Sequence, residues 1–340
     1  MKTIRFVRVA SLCAVFFILA FQYPLWSQKN VVREDGNTIE FIGLKQWTIK
    51  QLVDSVRKYE PDGKLGFCAA TLESKLGFRD ASVIWFAKDS TIITVVEPQD
   101  SALVRRNTNF PELLFLPRQW YEFQQKYSYK ILERRIAMEC QEISDDSANI
   151  VFSLRNKNVN VLAKADSMTF WNIRTALKSN NRPIAQLSKI VQLSGDPYAR
   201  GIAVLAMSSL ADNDTCLQMV LHSLLDVSAN TFMMPANESF MKMLKHRTRP
   251  IVLKPMISDL QRLVNGTNLF AYQDVLRLIS SAKPTEQEFN AIFATEQSRN
   301  LLFAHIRAVS SYARQEAASL MKIVNPQFSE SEQKKYLNIR

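Results

Sequence analysis

The chain has 340 residues, enough for two domains or one extended array of repeats, and its 43 Lys and Arg outweigh 32 Asp and Glu for a formal net charge of +11. With only 8 glycines it is poorly suited to Gly-rich phosphate-cradling loops or to tightly turned β architectures. The positive balance favours acidic partners such as anionic lipid, acidic polysaccharide or nucleic acid, or else it is a solvated basic surface that speaks to association and not to fold.

The N-terminus has the pattern of a secretory signal. Lys2, Arg5 and Arg8 precede an apolar run, Val9–Phe21, that Pro24 breaks and polar Gln28-Lys29-Asn30 follows. Cleavage after Ser27 is expected, with Ala20 as the alternative site and an uncleaved anchor over Val7–Trp26 as the competing reading. The expected localisation is therefore periplasmic or extracellular, with no transmembrane span in the mature chain. Cys13 sits inside the apolar run behind Leu12, which does not suit a lipoprotein cysteine. Beyond the leader, Cys68, Cys140 and Cys216 are few and far apart, so buried thiols are expected and at most one pair.

Residues 28–46 read as a polar lead-in with a short strand at Thr38–Ile42. Trp47–Tyr59 has the spacing of an amphipathic helix, Glu60-Pro61-Asp62-Gly63 that of a turn, and Leu65–Leu76 that of a second helix ending at Gly77. Then the period changes. Ala81–Phe86 and Thr91–Val96 are β-branched and aromatic runs joined by a short polar link, a hairpin signal. Residues 38–100 are thus expected to form a small α+β module.

A connector follows to Pro117, after which the expected elements are all helical apart from 149–154, which reads as helix or strand. They are 117–128, 130–142, 166–178, 183–193, the pair within Asp196–Asp226, then 237–245, 250–264, 269–282, 285–294 and one long run over 297–324. Asn, Pro and Gly signals bound them. Residues 326–340 read as a frayed tail.

The stretch Asp196–Asp226 is the most strongly patterned. Asp196 is a good N-cap, Pro197 suits the first helical position, and Ala199, Ala203 and Ala206 admit a close neighbour. A break and second cap at Asp212–Thr215 lead to Leu217, Val220, Leu221, Leu224 and Leu225, a clean apolar stripe. Two helices this apolar need further neighbours. The series Asp196-Pro197-Tyr198-Ala199-Arg200, Ala203, Ala206, Leu210, Asp212 resembles the bacterial HEAT-like repeat pattern, and Asp226 opens what reads as a weaker second unit. The resemblance implies an α-solenoid in which the Asp caps the first helix and the Arg joins a ladder of polar contacts between stacked repeats. The expected fold class is mainly α: an irregular HEAT-like α-solenoid over 117–325, preceded by the small α+β module with its β-hairpin.

Motif-borne chemistry is sparse. His222, His246 and His305 stand in no metal-binding spacing, no cysteine pair has zinc spacing, and no nucleophile elbow, Walker loop or dinucleotide fingerprint occurs. No cofactor is implied. His222 lies beside an apolar stripe and reads as a packed or half-buried histidine. The acid pairs Asp145-Asp146 and Asp212/Asp214 read as caps. Glu97 and Asp100, flanking Pro98 at a strand end, either form a polar turn or are displayed on a rigid loop to a partner. Lys242, Lys245, Arg247, Arg249 and Lys254, in a run with no acid, either complement a helix C-terminus or make a patch for an anionic partner. Without interleaved aromatics that patch does not suit single-stranded nucleic acid. The leading functional expectation is an exported, non-catalytic interaction or scaffold protein with a protein partner or an anionic envelope component. The alternatives are an enzyme or enzyme inhibitor with a site between the α+β module and the first helices near Glu97, Asp100 or Arg105, and a peripheral binder of anionic membrane surfaces.

Overall fold

The structure, a computed structural model, describes residues 30–86, 90–98, 107–118, 182–226 and 236–324. The leader, Asp100, Arg105, Cys140, Asp145-Asp146, the expected elements between 119 and 181, and the tail 326–340 lie outside these residues.

The N-terminal part is a four-stranded sheet: β1 (Val31–Glu34), β2 (Asn37–Ile42), β3 (Asp80–Phe86) and β4 (Ser90–Val96), in the order β1-β2-β4-β3. The lead-in is therefore a paired hairpin and not loose. Its turn is Asp35-Gly36, both with positive φ (51° and 78°), the conformation a tight two-residue hairpin turn demands and that Gly adopts freely. β3 and β4 form the expected antiparallel hairpin, and β2 runs parallel to β4. The crossover between β2 and β4 carries helices α1 (Ile49–Tyr59) and α2 (Ala69–Ser74). α1 begins in a capping box, Thr48 with Gln51. The expected helix at 65–76 is instead a 3-10 turn, Leu65–Phe67, followed by the six-residue α2, with Gly77 (φ 71°) past its end.

Strand alternation gives the sheet two buried faces. Ile39, Phe41, Ile93 and Val95 pack with Leu52, Val56, Leu65, Cys68 and Leu72 from the helical side. Ile42, Ile84 and Ile92 turn the other way and pack with Leu269, Ala308 and Ala313. At Gly43 (φ 99°) a Cβ would lie 2.2 Å from the Val95 carbonyl oxygen, so only glycine lets the chain leave β2 beside β4.

Among the described residues, the larger core belongs to nine helices: α3 (Arg182–Leu193), α4 (Pro197–Ser208), α5 (Asp214–Ser223), α6 (Ala236–His246), α7 (Ile257–Leu263), α8 (Leu269–Ala282), α9 (Glu286–Ile292), α10 (Glu296–Arg307) and α11 (Ser311–Val324). α4 packs on α3, α5 and α6; α6 packs on α8, and α8 on α11. The Asp196 carboxylate accepts the Tyr198 N–H (2.9 Å) with Pro197 in the first turn, while Asn213 caps α5 by accepting the Cys216 N–H (3.0 Å). Cys68 and Cys216 are buried free thiols, both pushed up to about 12 by burial, which keeps them protonated.

One long helical run over 297–324 does not form. It breaks at Ala308 into α10 and α11, because the buried Glu40 carboxylate on β2 accepts the N–H groups of Val309 and Ser310 (2.9 Å to Ser310). Burial raises the Glu40 pKa despite these bonds and the nearby Arg314. On β3, Asp80 accepts the Thr267 N–H ahead of α8 (3.1 Å). These two carboxylates and the shared apolar cluster bind the sheet directly to the helical array.

Deep in the array, His305 stacks on Tyr272 with ring centroids 4.3 Å apart, both essentially unexposed. Burial pushes His305 down to about 3, so the ring is neutral and serves as flat packing surface, at the cost of two ring nitrogens without a hydrogen bond.

Candidate functional site

The run of basic residues expected to face an anionic partner is divided by the fold. α6 carries Lys242 and His246 one turn apart, and the chain leaving it doubles back against the α4–α5 turn. Arg247, the centre of the run, is consumed there: its side chain is 2% exposed, its guanidinium donates to the carbonyls of Ala211 (2.8 Å) and Pro250 (2.9 Å), and it pairs with Asp214. Asp212 faces the same turn and accepts the Thr248 N–H (2.8 Å), the Thr248 hydroxyl (2.7 Å) and the Arg249 N–H (3.0 Å). The Thr248 hydroxyl, the two N–H groups and Arg247 hold the Asp212 carboxyl below its usual range. Asp212 and Asp214, expected as caps, are instead partners for the next turn; Asn213 between them supplies the cap of α5. Arg247 is a staple between two helix corners and not part of a free patch, because a guanidinium with several fixed donors satisfies several carbonyls at once.

Lys242, His246 and Arg249 remain around a surface groove of about 620 Å³, shared with Ser208, Ser209 and Asn213 to Thr215. Lys245 and Lys254 are exposed but do not line it. The basic run therefore supplies one lysine, one arginine and a histidine to one groove, which Asp212 and Asp214 also line.

Glu97 is a correction. The sequence places it on a loop, either in a polar turn or on display; the residue is fully buried and accepts the backbone N–H groups of Lys45 (2.7 Å), Gln46 (3.0 Å) and Trp47 (3.0 Å). Its carboxylate organises the chain between β2 and α1 and is unavailable to a partner or substrate. Glu97→Ala is expected to leave three N–H groups without an acceptor and to destabilise the protein by about 2–3 kcal/mol. Chemical denaturation measures this, and a loss below about 0.5 kcal/mol would show that water replaces the carboxylate without cost.

The arrangement that sequence reasoning missed lies at the other end of α5. His222 is half-buried, as expected, but it is bonded through both ring nitrogens: Nδ1 is 3.0 Å from Asp259 Oδ2 on α7, and Nε2 is 3.0 Å from Asn107 Nδ2. Arg262, one turn beyond Asp259, donates to Asn107 Oδ1 (2.7 Å). The four residues come from three separate parts of the chain, and no spacing announces them. Nearby, Arg200 and Asp226, both 3% exposed, make a two-pronged pair (2.5 and 3.1 Å). Arg200 also donates to the Ser194 carbonyl (2.6 Å), and Phe110 stacks 3.6 Å from the guanidinium carbon. Arg200 is the arginine of the Asp-Pro-x-x-Arg series.

Chemically, these arrangements hold structure together. With both nitrogens of His222 engaged, the ring ties α5 to α7 and to residue 107. Among the described residues there is no group of three or more His, Cys, Asp or Glu placed to hold a metal ion, and no helix long and apolar enough to cross a membrane. Compared with protein-family models, curated proteins and solved structures, the chain matches none.

Proposed function

We propose that the chain is an exported, non-catalytic interaction protein that presents a helical-repeat surface to a protein partner. The observation that carries this reading is the buried Arg200–Asp226 pair, 26 residues apart. It links the arginine of the repeat-like unit to the aspartate that opens the next stretch, the kind of contact a polar ladder between stacked repeats requires. The helix contacts support the same reading, because α4, α6, α8 and α11 each touch the next in that series. Such stacking leaves long continuous faces, the property that suits repeat arrays to binding. The leader pattern supports export. Immobilised mature chain beginning at Gln28 is expected to retain a defined protein from periplasmic extract, and repeated failure to retain any counts against the proposal.

A second reading, peripheral attachment to an anionic membrane surface, is favoured by one observation: Lys242, His246 and Arg249 share a groove with Lys245 exposed beside it. It predicts sedimentation with vesicles containing phosphatidylserine that weakens steeply with salt. Arg247 is left intact in the test because its loss would undo the corner. Lys242→Glu with Lys245→Glu and Arg249→Glu is expected to abolish sedimentation, and unchanged binding by this triple variant would dismiss the reading.

A further inference from the structure

Residues 107–118 run as an extended strap across the ends of α3 and α5. The Asn107 N–H donates to the Leu225 carbonyl (2.6 Å), the Glu112 N–H to the Leu193 carbonyl (3.0 Å), and the Gly195 N–H to the Glu112 carbonyl (2.8 Å). Farther along, Ser194 and Gln186 donate to the carbonyls of Leu114 and Phe115, and Leu116 is buried in the main core. Two side chains of the strap's head make contacts among the described residues: Phe110 covers the Arg200 guanidinium, and the Asn107 amide, its polar anchor, is gripped between Arg262 and His222.

The direction of every bond in this anchor is forced. A guanidinium only donates, so the oxygen of the Asn107 amide must face Arg262 and its NH₂ must face His222. His222 Nε2 must then accept, which places the single ring proton on Nδ1, donating to Asp259. The closed anchor therefore requires a neutral His222. We propose that this relay is a pH-sensitive latch, in which protonation of His222 releases the head of the strap while the helical array stays folded.

The charges around the ring decide which side gives way. Among the described residues, Asp259 and Arg262, both on α7, are the charged groups that face it. On α6, Lys242 and His246 line the groove at the start of α5 and Arg247 pairs with Asp214 there, almost the full length of α5 away. On α4, Arg200 is closed on Asp226 beyond the end of α5. Lys189 on α3, Lys254 before α7 and Glu112 on the strap are exposed. When His222 gains a proton, its contact with Asp259 becomes an ion pair and strengthens. Nε2–H and the Asn107 NH₂ then confront each other as two donors. Turning the amide over does not help, because it puts the NH₂ against Arg262. The ring stays with α7 and the strap loses its polar side-chain anchor.

Hydrogen–deuterium exchange of the full chain tests this, with each rate corrected for intrinsic chemistry and referred to α4 and α5. Between about pH 8 and pH 5, the range in which a histidine changes charge, protection over 107–112 is expected to fall about five- to tenfold, the worth of one lost hydrogen bond. Asn107→Asp should reverse the sign, because a carboxylate accepts from Arg262 and from protonated His222 together. His222→Gln should flatten the profile, whatever its absolute protection. Strap protection in the wild type that stays level with α5 over this range overturns the proposal without any variant. A fall of equal size in Asn107→Asp also overturns it.

Discussion

Arg200→Ala is expected to destabilise the protein by about 3–5 kcal/mol, the cost of removing one partner from a buried ion pair. The physical reason is what remains. Asp226, 3% exposed, loses the guanidinium that bonds both of its oxygens, and the Ser194 carbonyl loses its donor. Phe110 loses the cation it covers at 3.6 Å. Arg200→Lys should recover little, since an ammonium cannot make the two-pronged contact and the carbonyl bond from one position. A double change, Arg200→Met with Asp226→Leu, removes both charges and should be less damaging than Arg200→Ala alone, a non-additivity that a double-mutant cycle reads directly. Denaturant titration at neutral pH measures all of these. An Arg200→Ala variant within about 1 kcal/mol of wild type would mean that the pair adds little to stability and would count against the proposed repeat-to-repeat tie.

Asp274→Asn, by contrast, should stabilise the protein at neutral and alkaline pH. Asp274 on α8 is 6% exposed, and burial pushes its carboxyl up to about 7; Arg277 opposes the shift and Glu316 on α11 adds to it. Arg277 bridges the two acids, 3.2 Å from Asp274 and 2.7 Å from Glu316. A carboxyl whose folded-state pKa lies above its unfolded value binds more protons in the folded state. Stability therefore falls as pH rises from about 4 to about 7, and the penalty stays in full above that. Asn keeps an oxygen for Arg277 and cannot ionise. Its advantage should be near zero at about pH 4, grow through the interval, and level off at about 1–3 kcal/mol, below the ceiling set by the shift because Arg277 loses one of its two anions. Unfolding midpoints at the two ends of the range measure the difference. A variant less stable than wild type at about pH 8 would show that the Arg277 contact outweighs the burial cost.

Both predictions rest on acids whose burial no local pattern reveals, and this marks how far the sequence could be read. Elements written in local chemistry were legible. Asp196 and Pro197 start α4 where capping and a fixed φ put a helix start. The stripe from Leu217 to Leu225 is buried as its spacing requires. The β-branched and aromatic runs 81–86 and 91–96, with a short polar link between them, mark the β3–β4 hairpin. One local signal was passed over: Asp35-Gly36 between short β-branched runs is a hairpin turn, and β1 follows from it.

The candidate site was less legible. Arg247 and Arg249 look alike in the chain, yet the first is spent on Ala211, Asp214 and Pro250 while the second keeps its side chain exposed. Glu97 looked like a loop acid because Pro98 follows it, but the three N–H groups it serves lie about fifty residues earlier, across the sheet.

By itself the sequence determined the helix starts, the hairpin, the apolar stripes and the absence of any recognisable metal, nucleotide or nucleophile motif, because capping, periodicity and motif spacing act over a few neighbouring residues. Only the tertiary structure decided which charged and polar groups were used up. Glu40 breaking one helix into two, Arg200 closing on Asp226, and Asn107, His222, Asp259 and Arg262 meeting in one relay all join residues far apart in the chain. Burial makes an unpaired charge costly, and the partner that relieves it comes from wherever packing delivers it.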